Sequence, residues 1–183
     1  MNRILELSLV LIILVSCQKE NLSPLPRNDY WGEVSGEKNR EIWSPYLIGL
    51  TVSDLPSSNI YSLQFDDYGM CNNLSYISNL SISGLPADSL GLFSITERSQ
   101  NADNLIFVFY STAIGGDVLG DVYNILPLAD NFIEITEIKG NEIKGNFNIS
   151  LARDISNGRY VEVSDTITFS ARKFHTRIVP KNK

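Results

Sequence analysis

The side chains of this chain that could support covalent chemistry are few: one histidine, His175, and two cysteines, Cys17 and Cys71. A serine hydrolase needs a histidine as its base. No G-x-S-x-G elbow accompanies Lys173-Phe-His-Thr-Arg177, and His175 falls on what reads as a last surface strand. A cysteine nucleophile wants its thiolate stabilised by a neighbouring histidine or cation. Asp66 and Asp67, just upstream of Cys71, push its thiol the other way. His175 and Cys71 together also fall short of a zinc ligand set. Carboxylates are plentiful: Asp117, Asp121 and Asp130 flank residues 115–126, and Glu134 and Glu137 follow. Calcium asks for a dense acidic loop, which Asp117-Val-Leu-Gly-Asp121 is not. A glycosidase acid pair is defined by separation in space, which sequence spacing does not give. No catalytic residue, metal site or cofactor is therefore assigned, and these acids read as turn and strand-end residues.

Aromatics give the stronger binding signal. Tyr30-Trp31 and Trp43…Tyr46 lie close together ahead of the first clear strand. Two readings are open for Tyr30, Trp31, Trp43 and Tyr46. They form a platform whose ring faces stack on sugars or a partner, or the two tryptophans plug one end of a core, as large aromatics usually do.

Cys17 closes an apolar run, residues 7–15, broken only by Ser8. Even counted from Ile4 the run is too short for a membrane span, which needs roughly 20 apolar residues. It has the size of a signal-peptide core, preceded by Arg3 and carrying an uncommon Glu6. Leu14-Val15-Ser16-Cys17 resembles the lipobox of bacterial lipoproteins. The resemblance implies cleavage before Cys17, a diacylglycerol on its thiol and acylation of the new amine. Two or three acyl chains make such an anchor effectively permanent, where one holds only marginally. Lys19-Glu20 behind the cysteine is similar to the export signal of surface lipoproteins in the Bacteroidota. Asp88-Ser-Leu90 and Asp165-Thr-Ile167 are similar to the O-glycosylation sites of the same bacteria.

Removing residues 1–16 leaves 167, enough for one domain with a sizeable core. The predicted organisation is a leader over 1–16, a lipidated tether over 17–30, a single β domain over 31–179 and a tail over 180–183. Composition, 43% hydrophobic and 20% charged, is that of an ordinary globular chain. Charge is uneven: residues 29–137 carry fifteen acids against three bases, and residues 138–183 nine bases against four acids. The acidic body argues against nucleic acid, whose phosphates require a basic face. With Cys17 acylated, Cys71 has no intrachain partner, so the fold must stand on its core.

Apolar residues recur with period two nearly everywhere after the tether. Tyr61, Leu63 and Phe65 form one set; Leu74, Tyr76, Leu80 and Ile82 another. Ile143, Phe147, Ile149 and Leu151 form a third, and Ile167, Phe169 and Ala171 a fourth. Each set is the signature of a strand with one buried face. Residues 105–110 are apolar without alternation and predict a central strand covered on both faces. Gly140-Asn141 and Asn157-Gly158 predict tight hairpins, the second leading into a strand over 160–163. Gly84…Pro86 and Gly115-Gly116 punctuate earlier strands. The fold class expected is all-β: an antiparallel sandwich of about nine strands, with a closed antiparallel barrel as the alternative.

The strand texture of residues 131–174, including Ile143-Lys-Gly-Asn-Phe147, resembles the small β-rich lipoproteins of the Bacteroidota. The resemblance implies a lipid-anchored sandwich and no functional residue beyond Cys17. The expectation is a monomeric, non-enzymatic module of the outer membrane, facing the cell surface or the periplasm, that binds a glycan or a protein partner. An envelope hydrolase with unrecognised acids, or a barrel carrying a small apolar ligand, is the alternative.

Overall fold

The alternating segments pair into one continuous sheet, antiparallel except at one short parallel pairing, folded over an aromatic core. A computed structural model of the chain describes residues 30–51, 60–71, 74–96, 106–115, 118–156, 161–162 and 164–179. Their strands are β1 (Gly32–Lys38), β2 (Glu41–Trp43), β3 (Tyr46–Thr51), β4 (Ile60–Cys71), β5 (Leu74–Pro86) and β6 (Gly91–Ser94). They continue with β7 (Phe107–Ile114), β8 (Val118–Ile125), β9 (Phe132–Lys139), β10 (Glu142–Arg153) and β11 (Thr166–Val179). There is no helix among the described residues, hence none long and apolar enough to cross a membrane. The expected leader and tether, residues 1–29, and the tail 180–183 lie outside the described residues.

The sheet has two halves. A meander β3-β4-β5-β7-β8 faces a second layer ordered β2-β1-β11-β10-β9-β6. The corners between them are short. The parallel pairing of β11 with β3 holds only at Ile178–Gly49 and Val179–Leu50, and β8 meets β10 only from Leu151 to Arg153. Rings from opposite layers touch: Phe65 and Phe147 centroids are 5.2 Å apart, Tyr110 and Phe169 also 5.2 Å, Trp43 and Phe65 5.6 Å. This is the packing of a sandwich rather than of a hollow barrel.

The alternation sets the inward face as expected along β4, β10 and the first half of β11. Tyr61, Leu63, Phe65, Ile143, Phe147, Ile149, Leu151, Ile167, Phe169 and Ala171 are all buried. Eleven strands rather than about nine result because β2 and β6 are short additions of three and four residues. Three further expectations need correction. β5 runs through Gly84, where the register shifts by one residue and φ reaches +85°, so that glycine marks a bulge and not a strand end. The run at 106–110 alternates after all: Val108 and Tyr110 point inward while Phe107 is 41% exposed. β7 is central by hydrogen bonding, between β5 and β8. Val161–Glu162 is a bend rather than a strand, and Asn157-Gly158 lies outside the described residues.

Two glycines are dictated by geometry. Gly140 opens the two-residue β9–β10 loop at φ +63°, with Asn141 at ordinary negative φ, as a type II′ turn requires. Gly145, the middle of Ile143-Lys-Gly-Asn-Phe147, lies against the Phe174 ring and the Glu134 carbonyl. A Cβ there would stand 2.7 Å from the ring.

Candidate functional site

Tyr30 and Trp31, just ahead of β1, turn their side chains in different directions. On the outer face of β3, β4 and β5, Tyr46 and Asn79 flank Asp66 in register, and Tyr68 follows two residues on. Tyr30 reaches into this group. Its hydroxyl donates to Asp66 Oδ2 and lies 3.2 Å from the Tyr68 hydroxyl, while Asn79 donates to Asp66 Oδ1 at 2.5 Å. Asp66 is buried, and burial, with the Asp66 carboxylate next, holds the Tyr30 hydroxyl far above its ordinary pKa. The rings pack against one another, Tyr30 to Tyr46 at 5.5 Å and tilted, Tyr46 to Tyr68 at 5.7 Å edge-on. Tyr46 remains 40% exposed. The group offers one accessible ring face, two partly exposed phenols and a carboxamide, a set suited to a sugar's apolar face and hydroxyls.

Trp31 lies on the other layer. Its carbonyl accepts from Thr176, and its ring lies under the Arg177 guanidinium at 3.9 Å with His175 edge-on at 5.0 Å. Glu142 binds His175 at 3.1 Å and Arg177 at 3.4 Å. The His175 bond first, then Arg177, holds its carboxyl below the usual range. His175 thus belongs to a strand-face cluster, as its position implied.

Of the two readings, Trp43 takes the core plug and not the platform. It is 3% exposed and packs on Phe65, Phe147 and Phe169. A groove of about 290 Å³ passes its edge, between Val34, Gly36, Glu37, Ile42 and Arg172. Of the four aromatics singled out, Tyr30 and Tyr46 meet, joined by Tyr68, Asp66 and Asn79, while Trp31 and Trp43 serve elsewhere. No local spacing could have shown that Tyr68 and Asp66 complete the group; only the β3–β4 register does.

The acids divide as well. Glu137 pairs with Lys144 at 2.9 Å, Glu134 accepts from Asn146 at 2.6 Å, and Asp130 lies at the exposed approach to β9. Asp117 and the Cys17 anchor lie outside the described residues, as does the side chain of Cys71. Asp121 is fully buried, inside one end of the sandwich. Its carboxylate takes the Arg153 guanidinium on one oxygen and the backbone N–H groups of Val161 and Glu162, at 2.7 and 2.9 Å, on the other. Arg153 also donates to the carbonyls of Glu162 and Ser164, and its Nε stands 3.5 Å from the Asp165 carboxylate. Beside them Lys38 bridges Glu162 and Tyr110, whose own hydroxyl donates to Glu162 at 2.5 Å. Burial, then the Glu162 charge, drives the Tyr110 phenol well above its normal pKa. With Ser78, Thr112 and Tyr123 these groups make a polar layer that seals this end of the core beneath residues 161–165. Apart from Arg153 Nε, which is buried without a hydrogen-bond partner, its donors and acceptors satisfy one another, so it reads as a structural clasp. No protein-family model, curated protein or solved structure matches the chain.

Proposed function

We propose that this chain is a lipid-anchored module of a bacterial outer membrane, held by acyl chains on Cys17, that binds a glycan without turning it over. The observation that supports binding is the Tyr30–Tyr46–Tyr68 group around Asp66: half-exposed rings beside hydrogen-bonding groups on an outer sheet face. The interior, filled by stacked rings of Trp43, Phe65, Phe147 and Phe169, leaves the outer faces as the place for a ligand.

Titration with neutral hexose and N-acetylhexosamine oligomers, followed by NMR, tests the site. Tyr46→Ala should abolish the shifts of a binding oligomer at an unchanged melting temperature. Equal binding by the variant, or none by the wild type, would reject the glycan reading. The anchor is tested separately. Labelling with an alkyne fatty acid should mark the wild type and leave Cys17→Ala unmarked. Replacing Lys19 and Glu20 by Ala should keep the label while reducing protease shaving of intact cells.

A further inference from the structure

Beyond the polar clasp the sandwich ends in apolar side chains that the core does not use. Leu74 at the start of β5 and Val118 at the start of β8 are each 55% exposed, Leu119 is 56% exposed, and Ile155, two residues past β10, is 94% exposed. The register gathers them. Ile114 of β7 pairs with Tyr76 on one side and with Val118 on the other, and Gly115 N–H bonds the Ser75 carbonyl at 2.9 Å. Asp154 N–H bonds Val122 O, so the antiparallel course brings Ile155 level with Asp121, two residues from Leu119. Thus the starts of β5 and β8, the end of β7 and the exit from β10 form one apolar rim. The buried Asp121–Arg153 pair and the half-buried Lys38–Glu162 pair separate it from the hydrophobic interior. Those cations are tied into ion pairs, leaving the rim itself apolar rather than basic.

The chain enters midway along the sandwich. Tyr30 is bound at Asp66 and Tyr68, and the Cys71–Leu74 pair lies five residues beyond Asp66 on β4, about 17 Å away at ~3.3 Å per residue. Twelve residues separate Cys17 from Tyr30. Extended, that length reaches up to about 40 Å, enough to hold the rim against the surface in which Cys17 is anchored.

We infer that the rim of Leu74, Val118, Leu119 and Ile155 rests in the bilayer beside the anchor, fixing the sandwich end-on and holding the tyrosine group clear of the lipid. The inference rests on the Cys17 anchor. Without charge attraction such a rim binds weakly from solution, but the tether keeps it at high effective concentration beside the lipid.

The test uses the acylated protein, purified from membranes and placed in phosphatidylcholine nanodiscs. Intact mass first shows whether Cys17 carries acyl chains; if it carries none, the anchor reading falls and this orientation with it. In a Cys71→Ser background, an environment-sensitive dye is placed at Val118→Cys and, as reference, at Lys139→Cys by the far hairpin. Emission at 118 should shift to the blue, and nitroxide acyl chains should quench it several times more than at 139. Adding Leu74→Glu and Leu119→Glu should bring 118 down to the level of 139 with the denaturation midpoint unchanged. Equal quenching at the two positions in acylated protein overturns the orientation alone. A dry but unquenched 118 also overturns it, and assigns the rim to a second copy or a protein partner.

Discussion

Arg153→Met is the most informative perturbation of the fold. The substitution keeps most of the side-chain length while removing the cation bound to Asp121 and the donors to the Glu162 and Ser164 carbonyls. Asp121, with no exposed surface, keeps its bonds from Val161 and Glu162 N–H but loses the Arg153 cation. Breaking a buried pair by removing one partner costs about 3–5 kcal/mol, because a desolvated charge is left behind. For a domain of this size, 1 kcal/mol moves the melting temperature by about 2–4 °C, so a drop on the order of 10 °C is expected. Lys173→Met is the reference. It breaks an ion pair of 2.7 Å with Glu33 in which both side chains are more than half exposed, and such pairs contribute about 0–1 kcal/mol. Urea unfolding followed by Trp43 fluorescence measures both. Adding Asp121→Asn to Arg153→Met should recover stability, with a coupling of roughly 1–3 kcal/mol. If Arg153→Met costs no more than Lys173→Met, the clasp does not hold residues 161–165 to β8 and β10.

Phe147→Ala, which empties a site between Trp43, Phe65 and Phe174, should cost about 3–5 kcal/mol. Asn146→Ala on the outward side should stay within about 0.5 kcal/mol in the same denaturation assay. Gly145→Ala, forced against the Phe174 ring and the Glu134 carbonyl, should destabilise by at least ~1–3 kcal/mol, the range for overpacking. Alkaline pH should unfold the chain. Burial, then the Glu162 and Asp67 charges, raises the Tyr76 hydroxyl to about 12, and Tyr110 is also raised. An unfolded phenol titrates near ~10. The unfolded chain therefore gives up protons first, so stability is full below about pH 10 and falls as pH rises from about 10 to 12. Tyrosinate absorbance rising together with loss of structure would bear this out; independent titration near pH 10 at Tyr76 and Tyr110 would not.

What was legible in the sequence followed the period-two rule. Tyr61, Leu63 and Phe65, and Ile143 to Leu151, show their inward faces directly because each strand is wet on one side. Gly84 misled because a bulge and a turn both call for positive φ. Phe107 and Phe109 misled because two outward phenylalanines make an alternating strand look uniformly apolar. The clasp was invisible. Lys38 and Glu162 stand 124 residues apart, and a buried Asp121 looks like any turn acid until the layers are stacked. The tyrosine group was half legible: Tyr30 and Tyr46 share a neighbourhood in sequence, but their acceptor comes from the next strand.

β11 has a consequence for the order in which the molecule can assemble. Residues 166–179 hydrogen-bond to β1, β3 and β10, so one late-made segment is the seam of both layers. Thr176 reaches Trp31 across 145 residues of chain. Closing a loop that long costs about 4 kcal/mol in entropy before any contact across it forms. Within the meander, β3-β4-β5 and β7-β8 can pair as they are synthesised, while β5 and β7 join across β6, which belongs to the other layer. β1 can pair early only with β2, and its other edge and the outer edge of β3 stay open until β11 emerges. Topologies dominated by such distant pairings fold in milliseconds to seconds rather than microseconds. Until then the chain keeps open edges in both layers, and the two close on each other only when β11 pairs.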